Sequence, residues 1–313
     1  MRHFGPFFLG LLLITAACGT RQSTGVSVSR TARRMIPPDA RALAGIDIAS
    51  LKNTEFYKRE GKRLNMPLLD STEERLGLDP RRDLSNAVIA WDGKKYLLIV
   101  EGRFSPAELE RRLTAAGAHE TPYRKYKLVG DIVNAVAVLN EGVIAAGPLA
   151  ALEPAIDRFE DSRGGVPESL HQQLDKVPKT DQAWLVSTGG LPFVEIRMRS
   201  DIQSALSNIV DYVNAMSAGI RVDSGLHLQA EIGCISDQGA KRVHDALRGV
   251  IAFGRLSTKD NETELLRVYD AIHVNQKQQA VAVSADFAGE LTDALLNRIL
   301  GESATGSRLK AGN

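Results

Sequence analysis

The chain has 313 residues, of which 43% are hydrophobic and 25% are charged, so it is long enough to form two domains of ordinary size with sizeable cores. Its 39 basic and 38 acidic residues almost balance, which argues against nucleic acid as a partner, because proteins that bind it carry a marked basic excess. Two cysteines, Cys18 and Cys234, are too few for a disulfide framework.

Residues 1–17 have the features of an export signal. Arg2 provides a positive start, residues 4–14 are apolar apart from two glycines and a proline, and small residues at 15–17 precede Cys18. The apolar run is shorter than the roughly 20 residues that a membrane-spanning helix needs. We therefore expect residues 1–17 to be a signal peptide that is cleaved off.

The residues around the cysteine resemble the lipobox of bacterial lipoproteins. Ile14-Thr15-Ala16-Ala17-Cys18 follows that motif, with threonine at the position where leucine is usual. The resemblance implies a diacylglycerol thioether on Cys18, cleavage before this residue and an acyl group such as palmitate on the new amine. Two or more acyl chains give stable anchoring. The alternative is an ordinary signal peptide that leaves Cys18 as a free thiol.

The residue after the cysteine bears on localisation. It is Gly19 rather than aspartate, which resembles the outer-membrane class of lipoproteins in bacteria with two membranes. We therefore expect a protein that is lipid-anchored to the outer membrane, with its body facing the periplasm.

Residues 18–36 follow the signal and predict a flexible tether. They are rich in Ser, Thr, Gly and Arg and contain no acidic residue. Each basic residue near an anionic lipid surface would contribute about 1 kcal/mol to membrane attraction, although a plain solvated spacer fits equally well. Pro37 and Pro38 end this segment, and the folded body is expected to begin there.

The first folded unit is predicted to cover residues 37–160. Asp92-Gly93 between two apolar runs indicates a hairpin, and Ser105 with Glu108 is typical of a helix start. The predicted elements are a strand at 42–48, helices at 54–64 and 68–76, strands at 87–91 and 96–100, a helix at 106–116, strands at 127–132, 135–139 and 143–146, and a helix from 148 to about 159.

The second unit is predicted to cover residues 181–301, after a linker at 161–180 and before a flexible tail at 302–313. Ile202, Leu206, Ile209, Val213 and Met216 recur at helical spacing and predict a helix over 201–217. The other predicted elements are a strand at 183–186, a hairpin of 220–222 with 226–232, a helix after Ser236, strands at 271–274 and 280–285, and a helix carrying Phe287 to Ile299.

The two units show the same succession of elements. Gly102 and Ser105 match Gly233 and Ser236 at a constant spacing of 131, each at the junction between a strand and a helix. We therefore predict an α+β fold of two tandem, similar units, each a mainly antiparallel sheet with helices packed on one face. Coincidence is the alternative, because any α+β chain alternates its elements.

A second resemblance lies in residues 77–84. Their sequence, Gly-Leu-Asp-Pro-Arg-Arg-Asp-Leu followed by strands, resembles a phrase found in uncharacterised bacterial envelope lipoproteins. The phrase spans eight residues and forms a turn, and the resemblance implies no activity.

Motifs for catalysis or cofactor binding are weak. No histidine pair has the spacing of a helical zinc motif, and neither a phosphate-binding loop nor a Gly-x-Ser-x-Gly elbow occurs, so we predict no cofactor and no metal. Cys234, at a strand end before a helix, is the one candidate nucleophile, with His227 or His244 as its base. The alternative is an inert buried thiol, which predicts no catalytic residue.

Two groups of charged residues have ordinary structural explanations. The carboxylates are expected to cap helices or face solvent, and the basic group near two tyrosines is expected to line a strand edge or form a contact patch. These residues are Asp79, Asp83, Asp157, Glu160 and Asp161 in the first group, and Tyr123, Arg124, Lys125, Tyr126 and Lys127 in the second.

Three functions remain open. The first is a membrane-anchored, non-catalytic envelope lipoprotein that docks another envelope component. The second is a periplasmic carrier or sensor of an apolar ligand, whose pocket would be lined mainly by hydrophobic side chains. The third is a hydrolase or thiol enzyme that uses Cys234.

Overall fold

The computed structural model describes residues 25–61, 77–189 and 209–292. Its strands are β1 (Ala42–Asp47), β2 (Leu84–Trp91), β3 (Tyr96–Gly102), β4 (His119–Tyr123), β5 (Tyr126–Gly130), β6 (Asn134–Asn140), β7 (Val143–Pro148), β8 (Ala183–Thr188), β9 (Val213–Val222), β10 (Leu226–Cys234), β11 (Ile272–Lys277) and β12 (Ala280–Phe287).

The helices of the described residues are mostly short. They are α1 (Arg30–Arg33), α2 (Ile48–Asn53), α3 (Glu55–Glu60), α4 (Pro80–Asp83), α5 (Pro106–Ala115), α6 (Leu149–Asp161), α7 (Glu168–Leu174), α8 (Asp237–Leu256) and α9 (Thr263–Asp270), with a 3-10 turn at Val210–Tyr212. None of them is long and apolar enough to cross a lipid bilayer.

The strands form one antiparallel sheet in the order β11-β12-β10-β9-β8-β1-β2-β3-β7-β6-β5-β4. β1 lies near its centre and pairs with β2 on one side and with β8 on the other. We call the pairing of β1 with β8 the seam. Outward from this seam, the first half runs β1-β2-β3-β7-β6 and the second half runs β8-β9-β10-β12-β11, so the strand order repeats. The predicted α+β class with two similar antiparallel units is confirmed.

Helices cover both faces of the sheet rather than one. On β6, Ala135 and Ala137 pack in the core that contains α6, whereas Val138 packs in the core that contains Leu109 of α5. Alternate residues of a strand point to opposite faces, so α5 and α6 lie on opposite sides. The prediction of a single covered face was therefore wrong, because β6 and β7 are apolar on both faces.

A glycine at the seam makes room for a tryptophan. Gly45 of β1 is the direct partner of Trp184 of β8, and a Cβ added at Gly45 would lie 2.3 Å from Cζ2 of the indole. Trp184 is 8% exposed and belongs to the main core. The indole therefore lies over the glycine and joins the two halves through side-chain packing as well as backbone pairing.

The segment predicted to be a tether is folded where the structure describes it. Val26, Val28, Met35 and Ile36 are buried in the main core, and the N–H of Val26 donates to the carbonyl of Val177 at 2.9 Å. The tether prediction is therefore wrong for residues 25–36, because serines and arginines in this stretch mask well-spaced apolar residues. Residues 18–24 lie outside the described part of the chain, as does the predicted signal peptide.

The predicted linker at 161–180 is also part of the fold. Helix α7 occurs there, and Leu170, Leu174 and Val177 are buried in the main core with the side chains of β8. These residues connect the halves by covering the seam, not as a loose spacer.

The predicted helix over 201–217 is wrong at its C-terminal end. Val213 and Met216 belong to β9, which pairs with β8 and β10 along its length. Backbone pairing on both sides of β9 overrides the helical spacing of the apolar residues. Residues 201–208, the predicted helix at 68–76 and the tail at 302–313 lie outside the described residues.

Candidate docking surface

The two edges of the sheet differ in how they are protected. At one edge, β4 contains Pro122, which has no backbone N–H to offer. The neighbouring Lys127 ammonium pairs with Glu120 at 3.1 Å and with Glu110 at 3.6 Å. Proline and charged side chains are the usual means of preventing another strand from pairing with an edge. The β4 edge is therefore closed to strand addition.

The opposite edge, β11, has fewer of these protections. Its six residues, Ile-His-Val-Asn-Gln-Lys, include no proline and a single formal charge, on Lys277. Among the described residues, β12 is the only strand that pairs with it. Its outer backbone groups are therefore not paired with any described strand.

The hairpin that joins β11 to β12 determines which backbone groups face outward. Lys277 pairs with Ala280 across a two-residue loop, in which Gln278 has a positive φ of 50°. The closing pair of such a hairpin exchanges both hydrogen bonds, and hydrogen-bonded pairs then alternate along the ladder. The N–H and C=O groups of Ile272, Val274 and Gln276 therefore point away from β12.

A cavity of about 510 Å³ runs along this outer side, and we call it the edge groove. It is lined by Ile272, His273, Val274 and Asn275 of β11, by Arg248, Ile251, Ala252 and Arg255 of α8, and by Tyr269 and Asp270 at the end of α9. Side chains of successive strand residues point to opposite faces, so a cavity that touches four in succession must follow the strand edge.

The groove carries a surplus of positive charge. The Nε of Arg255 donates to Asp270 at 2.7 Å, and this hydrogen bond raises the pKa of Arg255 and lowers that of Asp270. Arg248 is exposed and makes no ion pair with any described residue. The guanidinium group of Arg248 is therefore available to pair with a negatively charged group of a partner.

Apolar side chains are also exposed at the end of α8. Phe253 is 51% exposed and Leu256 is 85% exposed, and none of the last thirteen residues of the helix is buried. Aromatic residues and arginine are enriched in protein interfaces. The C-terminal half of α8 therefore has the composition of a contact surface beside the groove.

A second exposed apolar site lies in the turn between β5 and β6. Ile132 is 90% exposed and Val133 is 58% exposed. The carboxylate of Asp131 accepts hydrogen bonds from the N–H groups of Val133 and Asn134, both at 2.7 Å, and these bonds lower the pKa of Asp131. The turn is thus held in one shape while its apolar residues face solvent.

The structure does not bring Cys234 together with a predicted base. Cys234 is 2% exposed, and its burial raises the pKa of the thiol, which favours the unreactive protonated form. His227 lies near the other end of β10, about 23 Å away at the usual rise per strand residue. His244 hydrogen-bonds to Asp245 at 2.9 Å. Cys18 lies outside the described residues.

His227 instead joins two carboxylates, a contact that the sequence analysis missed. Its Nδ1 is 2.6 Å from Asp286 and its Nε2 is 3.1 Å from Asp223. The hydrogen bond with Asp286 is the largest influence and raises the pKa of His227; burial opposes it, and the hydrogen bond with Asp223 adds to the increase, so the pKa is raised overall. His227 and Asp286 are direct partners in the β10–β12 ladder, so only the strand register could have revealed the contact.

The predicted carboxylates have structural roles in the first half. Asp79 caps α4 by accepting from the N–H of Arg81 at 3.0 Å, and Asp83 accepts from the N–H of Asp79 at 2.9 Å. Glu160 accepts a hydrogen bond from the Tyr126 hydroxyl at 2.5 Å and pairs with Lys125, and these two interactions lower the pKa of Glu160.

The basic group on β4 and β5 is likewise engaged within the chain. Arg124 pairs with Asp157 at 2.6 Å, and Lys125 pairs with Glu160 at 3.0 Å. The Tyr123 hydroxyl donates to Asp157 at 3.1 Å. These bonds attach the β4–β5 hairpin to α6. They support a structural role for this basic group more directly than a role in binding a partner.

A cavity of about 440 Å³ lies at the end of the seam where β1 ends and β8 begins, and it bears on the carrier hypothesis. Its lining includes Asp47, Asp181, Arg221 and Asp223. An apolar ligand needs walls that are mainly hydrophobic. This seam cavity, like the edge groove, has charged walls, so neither supports an apolar cargo. Among the described residues, no three His, Cys, Asp or Glu side chains converge as a metal site would require.

No protein-family model matches the chain, and no curated protein matches it. Solved structures of TP0453 resemble it. Crystal form I has a TM-score of 0.47 at 10% identity and covers 88% of this chain and 98% of that one. Crystal form IV has a TM-score of 0.48 at 10% identity and covers 86% of this chain and 100% of that one. The function must therefore be inferred from the residues of this chain.

Proposed function

We propose that the protein is a lipid-anchored, non-catalytic component of the bacterial envelope whose body docks another envelope component at the edge groove. The observation that carries the proposal is the difference between the two sheet edges. Pro122 and ion pairs close the β4 edge, whereas β11 pairs with a single described strand and lies beside a guanidinium, that of Arg248, without an ionic partner among the described residues. The unpaired edge of a sheet can accept another strand, which supports a use of β11 in docking.

The anchor is proposed to be the lipidated Cys18 in the outer membrane, with the body in the periplasm. The folded segment begins by Val26, whose N–H already bonds to Val177. Six residues lie between Cys18 and Gly25, and the seven Cα-to-Cα steps that join the two residues span at most about 25 Å. The body would thus be held close to the membrane surface, where its partner is also expected.

The anchor is tested by Cys18→Ala in cells that are fed a radioactive fatty acid. We expect the variant to lose the label completely, because lipidation requires the thiol of this residue. Cys234→Ala is the matched control and should keep the label, since this thiol is buried in the core. Persistent labelling of the Cys18 variant would refute the anchor.

Docking is tested by placing a photoreactive amino acid at Asn275 on the β11 edge of the full-length protein in cells. The same amino acid at Thr121 on the β4 edge is the control, because both positions are exposed strand residues. We expect one reproducible crosslinked protein from position 275 and none from position 121. Equal crosslinking at both edges, or none at position 275, would contradict docking at the groove.

A further inference from the structure

The edge groove also indicates what kind of partner it takes. We infer that the partner enters as an extended peptide segment that carries carboxylate groups and adds a strand to the sheet beside β11. This inference rests on the proposed docking function and makes it more specific.

The backbone of β11 supplies the first reason. The outward N–H and C=O groups of Ile272, Val274 and Gln276 recur every second residue, so they form a row with a spacing of about 6.6 Å. A peptide in the extended conformation presents complementary groups at the same spacing, and a helix does not. Main-chain bonds of this kind provide affinity when a peptide adds to a sheet edge.

The wall of the groove supplies the second reason. Alternate side chains of an added strand would point toward α8, where they would meet Ile251, Ala252 and Arg248. Arg248 offers guanidinium donors in a fixed planar arrangement that fits a carboxylate, and Arg255 is already paired with Asp270. A peptide with apolar and acidic residues on its α8-facing side therefore fits the groove.

The sequence of β11 itself argues against a second copy of this chain as the occupant. Two β11 strands from different copies would present no carboxylate to Arg248, because Ile-His-Val-Asn-Gln-Lys contains no acidic residue. Each copy would also bring a further positive charge, Lys277, to a groove that already has a positive surplus. A different chain with acidic residues has the complementary charge.

The test uses the full-length lipidated protein in detergent micelles and a phage library that displays random twelve-residue peptides. We expect selection to enrich peptides with acidic residues and β-branched residues in alternation. No enrichment, or enrichment without an acidic preference, would overturn the inference.

Two pairs of variants then test separately the contribution of the β11 backbone hydrogen bonds and that of the groove charge to peptide binding. Gln276→Pro removes an outward N–H, and Gln276→Ala removes the same side chain but keeps the N–H. Arg248→Glu reverses a charge in the groove, and Lys241→Glu reverses one two turns earlier on α8, outside the groove lining. We expect Gln276→Pro and Arg248→Glu each to weaken peptide binding at least tenfold and both controls to keep it within about twofold.

Other results would point to other occupants. Undiminished binding to Gln276→Pro would overturn strand addition, and a dimer of the full-length protein that dissociates in this variant would identify a second copy as the occupant. Failure of the inference is distinguishable from failure of the proposed function. Crosslinking from Asn275 to a protein without an acidic extended segment would refute the inferred peptide partner but would still support docking at the edge groove.

Discussion

At the scale of single residues, His227 connects two segments of the second half. Asp286 lies on β12, Asp223 lies in the β9–β10 turn, and the imidazole bonds to both. Arg221 on β9 acts against the protonated form, but less strongly than the carboxylates act for it. The protonated ring therefore links the beginning of β10 to β12 and to the β9–β10 turn.

This contact predicts a specific dependence of stability on pH. The folded-state pKa of His227 lies above the ordinary value of 6.5, so its contribution is complete below about pH 6 and is lost as the pH rises through the folded pKa. We expect the difference in unfolding free energy between the natural protein and His227→Gln to shrink from about pH 5.5 to about pH 8.5. Because the carboxylate of Asp286 is 76% exposed, the difference should stay on the order of 1 kcal/mol or less.

Denaturant titrations of both proteins across this pH range measure the effect. His119→Gln, at an exposed position on β4, is the control for the histidine-to-glutamine replacement itself. A His227 difference that is constant or grows with pH would show that the imidazolium does not hold the strands together.

At the scale of elements, the segment at 25–36 shows where composition misleads. Its Ser and Arg content suggests a spacer, yet Ser29 and Arg33 make defined hydrogen bonds. Ser29 caps α1 by accepting from the N–H of Ala32 at 3.0 Å and donates to Glu101 at 2.6 Å. Two nitrogens of Arg158 donate to the carbonyl of Met35 at 3.1 and 2.8 Å. The segment is therefore an integral part of the core layer.

We predict that Met35→Ala lowers the free energy of unfolding by about 2–5 kcal/mol, the usual cost of truncating a large buried side chain. Met35 is 0% exposed, so the substitution would leave a cavity in the main core. Arg30→Ala, at an exposed position of α1 in the same segment, should change stability by less than about 0.5 kcal/mol. Chemical denaturation measures both, and equal stability of the two variants would restore the tether prediction.

Local signals in the sequence predicted several elements and failed where pairing between distant strands decides the structure. Asp92-Gly93 predicted the β2–β3 hairpin, which is present with Gly93 at a φ of 105°. The helix start at Ser236 is also present, and its hydroxyl accepts from the N–H of Gly239 at 3.0 Å. The spacing of Val213 and Met216 matched a helix, but pairing with β8 and β10 makes this segment a strand.

The candidate docking surface could not be predicted for a related reason. The motif that resembles a lipobox is a run of neighbouring residues, so it is visible in the sequence. The edge groove depends on β11 being the last strand of the sheet and on α9, a helix that the sequence analysis did not predict. The sequence shows neither which strand lies at an edge nor which arginine lacks a partner.

At the scale of the whole molecule, the seam joins two cores. The main core includes Trp184 and Val186 of β8 together with first-half residues, so it extends across the seam. A separate core lies under α8 and includes Ile232, Val243 and Val281. Its connection to the rest of the sheet runs through the pairing of β9 with β8. Whether this second core unfolds alone depends on the strength of that connection.

We predict that the two halves unfold as one cooperative unit. Each strand of the seam is paired on both sides, so separating the halves would expose Trp184 and leave backbone groups of β1 or β8 unpaired. Leu152→Ala in α6 removes a fully buried side chain of the main core and should cost about 2–5 kcal/mol. Global unfolding exposes all amides together, so protection from hydrogen exchange should fall by the same factor in β3 and in the distant β10.

Native-state hydrogen exchange followed by mass spectrometry measures both strands in one experiment. Val243→Ala, in the core under α8, is the reciprocal variant and should lower protection in β3 as well as in β10. If Leu152→Ala leaves β10 at its original protection, the halves unfold separately and the pairing across β8 is weaker than its six residue pairs suggest. Equal losses would mean that the repeated units have become one folding unit, because strand pairing at the seam and the packing of Trp184 on Gly45 transmit instability from either core to the other.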